Sequence, residues 1–192
     1  MEVLRSAGVE LILRDSGALL EGHFLLTSGL HSARYIQCAQ VLKYPRYAEQ
    51  LGSSLATSLK KYEPDLVIGP ALGGILVAHE VARALDKIGL FTERKDGQMT
   101  LRRGFTINPG AKIVVVEDVV TTGGSVKEVI EVARQCGGKV VAVGAIVDRS
   151  KGTVDFSVPF HALLTLDIPT YKPEECPLCR AGKPVVKPGS RT

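Results

Sequence analysis

Two adjacent carboxylates, Glu117 and Asp118, stand between an apolar run and a turn of small hydroxylated residues. The order is Ile113-Val114-Val115-Val116, then Glu117-Asp118-Val119-Val120, then Thr121-Thr122-Gly123-Gly124-Ser125. Neighbouring carboxylates can accept hydrogen bonds from vicinal hydroxyls, as on a ribose, or bind a metal ion. The Thr/Gly/Ser turn adds hydroxyls and unencumbered backbone amides, which suit a phosphate at a helix start. Adjacent strand residues point to opposite faces, so both acids serve one ligand only where the chain leaves the strand. That is where ligands bind in open α/β sheets. An exposed helix end contributes only about 0.3–1 kcal/mol per charge, so several amides and hydroxyls must share the load. Two common nucleotide loops are excluded. No lysine follows Gly123-Gly124 as a Walker loop requires, and no GxGxxG follows the first strand.

Other groups with chemical potential lie apart from this motif. His23, His31, Arg34 and Tyr35 fall within one short segment and can line a pocket, although on these residues alone a polar surface hairpin is the favoured reading. Arg149 follows the apolar run Val140–Val147, where either a ligand anion or a surface ion pair with Asp148 or Asp155 would occupy it. Arg94, Lys95, Arg102 and Arg103 belong to the segment Arg94–Phe105, which has two glycines and no helical stripe. Such a run is usually solvated surface, but its place one strand before the acids also fits a lid over a polyanion. Cys176-Pro177-Leu178-Cys179 has half the spacing of a structural zinc site, and no second CxxC completes it. Reduced, metal-free cysteines are the expectation.

Positioning these groups requires alternating strands and helices. Leu4, Ala7, Leu11 and Ile12 mark a helix over residues 2–15, stopped at Gly17. Two strand-like runs flank Ser28-Gly29, and a helix over 45–61 begins at Pro45. The strand Leu66–Gly69 leads through Gly73-Gly74 into a helix over Ile75–Leu85 that is apolar on nearly every face, hence buried. The Gly73-Gly74 amides can accept an anion, or the turn simply packs helix on strand tightly. Ile88–Glu93 is a strand, and Arg94–Phe105 an exposed hairpin or mobile loop. After the acidic motif, Val126, Val129, Ile130 and Ala133 give one helical face, ended by Gly137-Gly138. Phe160–Leu166 is a last strand. The alternation predicts an α/β protein with a parallel sheet flanked by helices. Residues 171–192 hold four of the ten prolines and read as an extended surface tail outside a single domain of 1–170.

Composition narrows the partners. The 192 residues are 45% hydrophobic and 23% charged, ordinary for one soluble domain. A net charge of +4 is too mild to argue for a nucleic-acid binder but suits a small anionic substrate. No apolar run approaches the ~18 residues of a membrane span, and no signal-peptide pattern opens the chain. A cytoplasmic location is expected.

Val114–Ser125 resembles the phosphoribosyl diphosphate motif of the type I phosphoribosyltransferases, and other segments are similar to the orotate phosphoribosyltransferases among them. Gly22-His23-Phe24, Ser28-Gly29, Ser32 and Tyr35 are similar to the family's N-terminal substrate segment. Gly69-Pro70-Ala71 with Gly74-Ile75 resembles its diphosphate-side loop, and Glu93-Arg94-Lys95 the entry to its mobile catalytic loop. Val147-Asp148-Arg149 resembles the strand end whose arginine holds the orotate carboxylate. The resemblance implies a small N-terminal hood, formed largely by 1–40, over the parallel sheet. It also implies Mg²⁺-dependent transfer of ribose 5-phosphate to orotate in pyrimidine biosynthesis, by a homodimer. Glu117, Asp118, Val119, Val120, Thr121, Thr122, Gly123, Gly124 and Ser125 would bind phosphoribosyl diphosphate. Thr121 and Arg149 would bind orotate, and Arg94 and Lys95 would serve the lid. Mg²⁺ would be carried mainly by the diphosphate. A purine phosphoribosyltransferase and a non-catalytic regulator that binds phosphoribosyl diphosphate are the alternatives. The chain departs from many relatives in having Thr27 and Gly73 where they carry lysines. Its loop after Lys95 is short and lacks their lysine and histidine, leaving Arg102 and Arg103 as candidate substitutes.

Overall fold

A computed structural model describes residues 4–26 and 28–188. Thr27, one of the departures noted above, lies outside the described residues, as do 1–3 and 189–192. The chain opens with helix α1 (Ser6–Asp15). Its buried face is Val9, Ile12 and Leu13, whereas Ala7 and Leu11 face solvent. The apolar spacing therefore located the helix but not its buried stripe. Gly17, at φ 72°, reverses the chain into the hairpin of β1 (Leu19–Leu25) and β2 (His31–Ile36).

Two helices, α2 (Ala39–Leu42) and α3 (Pro45–Leu59), lead to β3 (Leu66–Pro70). Pro45 occupies the first turn of α3, where its missing N–H leaves no bond unmade. Helix α4 (Gly73–Leu85) starts at the glycine pair itself. It buries Val77, Ala78, Val81 and Ala82 but leaves Leu76 exposed, so it is less enclosed than its apolar sequence predicts. Then follow β4 (Ile88–Lys95), β5 (Gln98–Leu101), β6 (Lys112–Val120), α5 (Gly124–Gln135), β7 (Lys139–Asp148) and β8 (Phe160–Thr165).

These strands form one six-stranded sheet in the order β5-β4-β3-β6-β7-β8. All neighbours are parallel except the β4–β5 hairpin at the edge. The alternation of β6 explains why its run is wholly apolar. Val114 and Val116 pack with Leu51, Leu55, Val77 and Val81 of α3 and α4, while Ile113 and Val115 pack with Val126, Val129 and Ile130 of α5. Each face is covered by helices, as parallel strands require. Burying each such side chain contributes about 1.5–3 kcal/mol.

The hood contains more than the N-terminal segment. Strand β9 (Thr170–Tyr171) pairs antiparallel with β2. After it, Pro173–Glu175 forms a short turn of 3₁₀ helix and Pro177–Arg180 forms α6. Val186 then exchanges backbone hydrogen bonds with the β1 edge, donating to His23 O at 2.8 Å and accepting from Leu25 N at 2.9 Å. Prolines do keep this segment irregular, but it is docked rather than merely extended.

Candidate active site

The acids lie near the end of β6 in the middle of the sheet; the strand runs two residues further, pairing Val119 and Val120 with β7, before the chain turns through Thr121–Gly123 into α5. Gly123 adopts φ 74°, a left-handed conformation that side chains resist. A Cβ there would also meet Val154 Cγ1 at 2.7 Å and Phe156 Cε1 at 2.9 Å. No side chain caps α5, so its first amides are left for a ligand. Glu117, Val119, Thr121, Thr122, Gly123, Gly124, Ser125 and Val126 line an open cleft. Uncommitted amides, hydroxyls and a helix N-terminus on one wall constitute an anion cradle. Gly123→Ala is expected to destabilise the fold by about 1–3 kcal/mol and to weaken phosphate binding, as read by urea unfolding and inorganic phosphate titration. Wild-type stability with unchanged phosphate affinity would show that the left-handed turn is dispensable.

The second glycine turn belongs to the same site. A Cβ on Gly73 would collide with the Asp118 carboxylate, and one on Gly74 would approach Glu117 Oε1 at 3.3 Å. A side chain at position 73 would therefore require the Asp118 carboxylate to move. On the strand side, Gly69 lies so close to the Gly74 carbonyl that a side chain there would clash as well. Ala71 N–H donates to Thr92 O at 2.7 Å, tying the turn to β4.

Glu117 is only 9% exposed. Its Oε1 accepts the Asp118 N–H at 3.1 Å, and Asp118 Oδ1 accepts the Val119 N–H at 2.8 Å. Burial, with the Asp118 charge beside it, pushes Glu117 up to about 9. Cys38, wholly buried, is raised well above the usual thiol range by burial and then by Asp118 and Glu117. Sequence reading gave no reason to place that cysteine against the acids, since only the β2–α2 connection brings it there. Glu117 therefore holds its proton near neutral pH, and hydroxyl donors or a cation at the site would favour its ionised form.

Arg149 stands at the end of β7, held by its N–H donating to Val120 O at 2.8 Å. Asp148, the nearest candidate ion-pair partner, instead accepts the Ser150 N–H at 2.7 Å, and Asp155 accepts the Ser157 N–H at 2.7 Å. Among the described residues Arg149 makes no ion pair, and its buried Nε has no hydrogen-bond partner. Burial pulls its pKa below the usual arginine value, and Tyr35 of the hood acts in the opposite sense. It remains a cation at neutral pH. A half-buried guanidinium without an anion is a binding group awaiting one.

The candidate lid has a different character. Asp96 and Gly97, at φ 52° and 82°, close β4 and β5 with a tight two-residue turn. Arg94 donates to Gly97 O at 2.8 Å and pairs with Glu128 of α5 at 2.8 Å. Arg103 and Arg102 pair with Glu93 at 2.8 and 3.4 Å. Lys95 alone of the four has no such bond among the described residues. In this conformation the hairpin's arginines are engaged with its own base and with α5. His23 and His31 likewise do not line the cleft; their ring nitrogens meet the cysteines of the tail.

Residues 39–167 match the phosphoribosyl transferase domain. The orotate phosphoribosyltransferase of Heliobacterium modesticaldum is 62% identical over 94% of this chain and 96% of its own length. That of Thermotoga maritima is 57% identical over 95% and 98%. Among solved structures, orotate phosphoribosyltransferase from Aeropyrum pernix superposes with a TM-score of 0.68 at 29% identity, covering 82% of this chain and 93% of that one. An adenine phosphoribosyltransferase from Rhodothermus marinus reaches 0.63 at 19% identity over 82% and 99%, a likeness of fold alone. The acids, anion cradle and strand-end arginine thus sit in a chain that belongs to the phosphoribosyltransferase family, among the orotate phosphoribosyltransferases.

Proposed function

We propose that the chain transfers ribose 5-phosphate from 5-phospho-α-D-ribose 1-diphosphate to N1 of orotate, releasing diphosphate and forming orotidine 5′-phosphate. The observation that carries the acceptor's identity is Arg149, whose buried Nε has no partner. A planar fork of N–H donors matches a carboxylate, and orotate carries one where a purine has none. Thr121 lies at the start of the turn facing the same strand end. The cradle of Thr121–Ser125 suits the 5-phosphate, and Glu117 and Asp118 suit the ribose hydroxyls.

During transfer the C1–oxygen bond breaks, and its electron pair leaves with the diphosphate. The lone pair of the deprotonated orotate N1 forms the new C1–N bond. Positive charge develops on the ribose while negative charge accumulates on the leaving group. Fixed contacts that hold C1 in line with N1 lower the barrier by orientation, and nearby carboxylates stabilise the cationic ribose electrostatically. Mg²⁺ would be carried by the diphosphate substrate, where it would supply charge neutralisation for the leaving group. Glu117 and Asp118 would offer the hard oxygen donors such an ion takes, and an ion beside them would favour the ionised form of Glu117. Lys95 is the hairpin cation available to approach the diphosphate, with Arg94 joining it if the Glu128 pair opens.

The proposal includes a homodimer, in which a partner subunit would cover Leu72, 83% exposed, and Leu76 on the first turn of α4. We place it in the cytoplasm, where free cysteines persist; among the described residues no helix is long and apolar enough to cross a membrane. The deciding experiment follows orotate absorbance with Mg²⁺ and phosphoribosyl diphosphate, beside parallel reactions with free purines. Orotate consumption alone is expected. Purine turnover would reassign the acceptor, and binding of phosphoribosyl diphosphate without any turnover would leave a regulator.

A further inference from the structure

We propose that His23, His31, Cys176 and Cys179 form a structural Zn²⁺ site that fastens the C-terminal tail to the hood. The four donor atoms lie within 4.8 Å of one another although the histidines and cysteines are far apart in sequence. His31 pairs across the hairpin with Leu25, and His23, two residues before Leu25, projects from the same face. Tail residues 173–180 bring the cysteines over that face through the β2–β9 pairing. The sequence spacing showed only half a ligand set because the other half comes from a hairpin, not from a second CxxC.

Three of the donor separations are close to those of a tetrahedral ion. With metal–sulfur bonds of about 2.3 Å and metal–nitrogen bonds of about 2.0–2.1 Å, ligand atoms stand about 3.3–3.8 Å apart. Cys176 Sγ is 3.5 Å from His23 Nε2, and Cys179 Sγ is 3.7 Å from the same nitrogen and 3.2 Å from His31 Nδ1. His23 Nε2 and His31 Nδ1, at 2.8 Å, need only a small separation to admit the ion.

A second, independent feature orients the first ligand. His23 Nδ1 lies 2.8 Å from the Lys183 carbonyl oxygen, which can only accept, so Nδ1 carries the proton and Nε2 presents its lone pair to the cluster. A backbone carbonyl holding the far nitrogen of a ligating histidine is the usual outer support of a zinc site. His23, His31 and Cys176 are 4%, 7% and 0% exposed, and Cys179 closes the rim. Two nitrogens and two sulfurs in a closed tetrahedron favour Zn²⁺ over hard cations and leave no open position for catalysis. Binding displaces the two thiol protons to solvent, so both sulfurs ligate as thiolates.

The test uses the full chain, purified from zinc-supplemented medium without chelator, with metal content read by mass spectrometry independently of transferase activity. About one zinc per chain is expected. The Cys176→Ser/Cys179→Ser double variant should lose it, and Cys136→Ser should keep it. Exchange into Co²⁺ should give the visible absorption of a tetrahedral, thiolate-bound ion. Stripping the wild-type chain with a chelator should speed trypsin cleavage within 172–187 at least tenfold and lower the Tm by about 5 °C or more; zinc should restore both. A chain without zinc whose cysteines react equally with and without added ion would overturn the site. So would full zinc content in the double variant, or a Cys176–Cys179 disulfide in the protein as purified.

Discussion

Replacing Arg149 by alanine is expected to lower kcat/KM for orotate by about 10²–10³-fold, the loss of a buried charge-assisted contact of about 3–4 kcal/mol. The phosphoribosyl diphosphate affinity should change little, because the cradle of Thr121–Ser125 and the acids of β6 are untouched. The asymmetry follows from position. Arg149 closes β7, one strand away from the phosphate turn, and its own N–H donates to Val120 O at 2.8 Å, so its backbone stays anchored when the side chain is shortened. Arg149→Lys should recover only part of the loss, since a point charge cannot reproduce a two-pronged contact with a carboxylate. Steady-state kinetics with orotate varied, beside calorimetric titration with phosphoribosyl diphosphate, separates these effects. Unaltered orotate kinetics would remove Arg149 from the acceptor site. A fall in both affinities together would make it a general support of the strand end.

How much of this site could be read from the chain alone depends on how local the controlling physics is. The β6–turn–α5 unit was legible because strand alternation, small-residue turn and helical stripe occupy one continuous stretch. The β4–β5 hairpin was legible only as one of two options, an exposed hairpin or a mobile loop, and the extension of β4 to Lys95 was not. Contacts between distant segments were not. Nothing adjacent to Gly73 reports that Asp118 fills the space a side chain would need, and nothing near Arg94 reports Glu128 as its partner on α5. The histidines of the hood show the same limit more sharply. As sequence they are polar residues of a hairpin, and only the returning tail gives them a common neighbour. Leu11 marks the opposite failure: an apolar residue at helical spacing that tertiary packing leaves 58% exposed.

The acidic pair should couple stability, binding and protons in one measurable way. In the unfolded chain Glu117 has an ordinary glutamate pKa, whereas burial and then Asp118 push it up to about 9 in the fold. Between those values the native state binds the extra proton, so stability must decline as pH rises through the window from about 4.5 to 9. The contribution is complete below the ordinary glutamate value and gone above the raised one. Glu117→Gln removes the titration: its stability should be flat across that window and exceed wild type at pH 9 by about 1–3 kcal/mol, while turnover falls at least about 10²-fold. Asp118→Asn should cost similar turnover without unfolding the chain. It should only narrow the window, because burial still raises Glu117 after the neighbouring charge is gone. The ligand offers the complementary measurement. Mg²⁺ and ribose hydroxyls favour the ionised pair, so binding of the Mg²⁺–phosphoribosyl diphosphate complex near pH 7.5 should release up to about one proton, visible as a binding enthalpy that varies with the ionisation enthalpy of the buffer. Glu117→Gln should abolish that buffer dependence. Proton-neutral binding by the wild-type chain would mean that Glu117 stays protonated beneath the ribose, and Asp118 would then be the sole charged acceptor in the site.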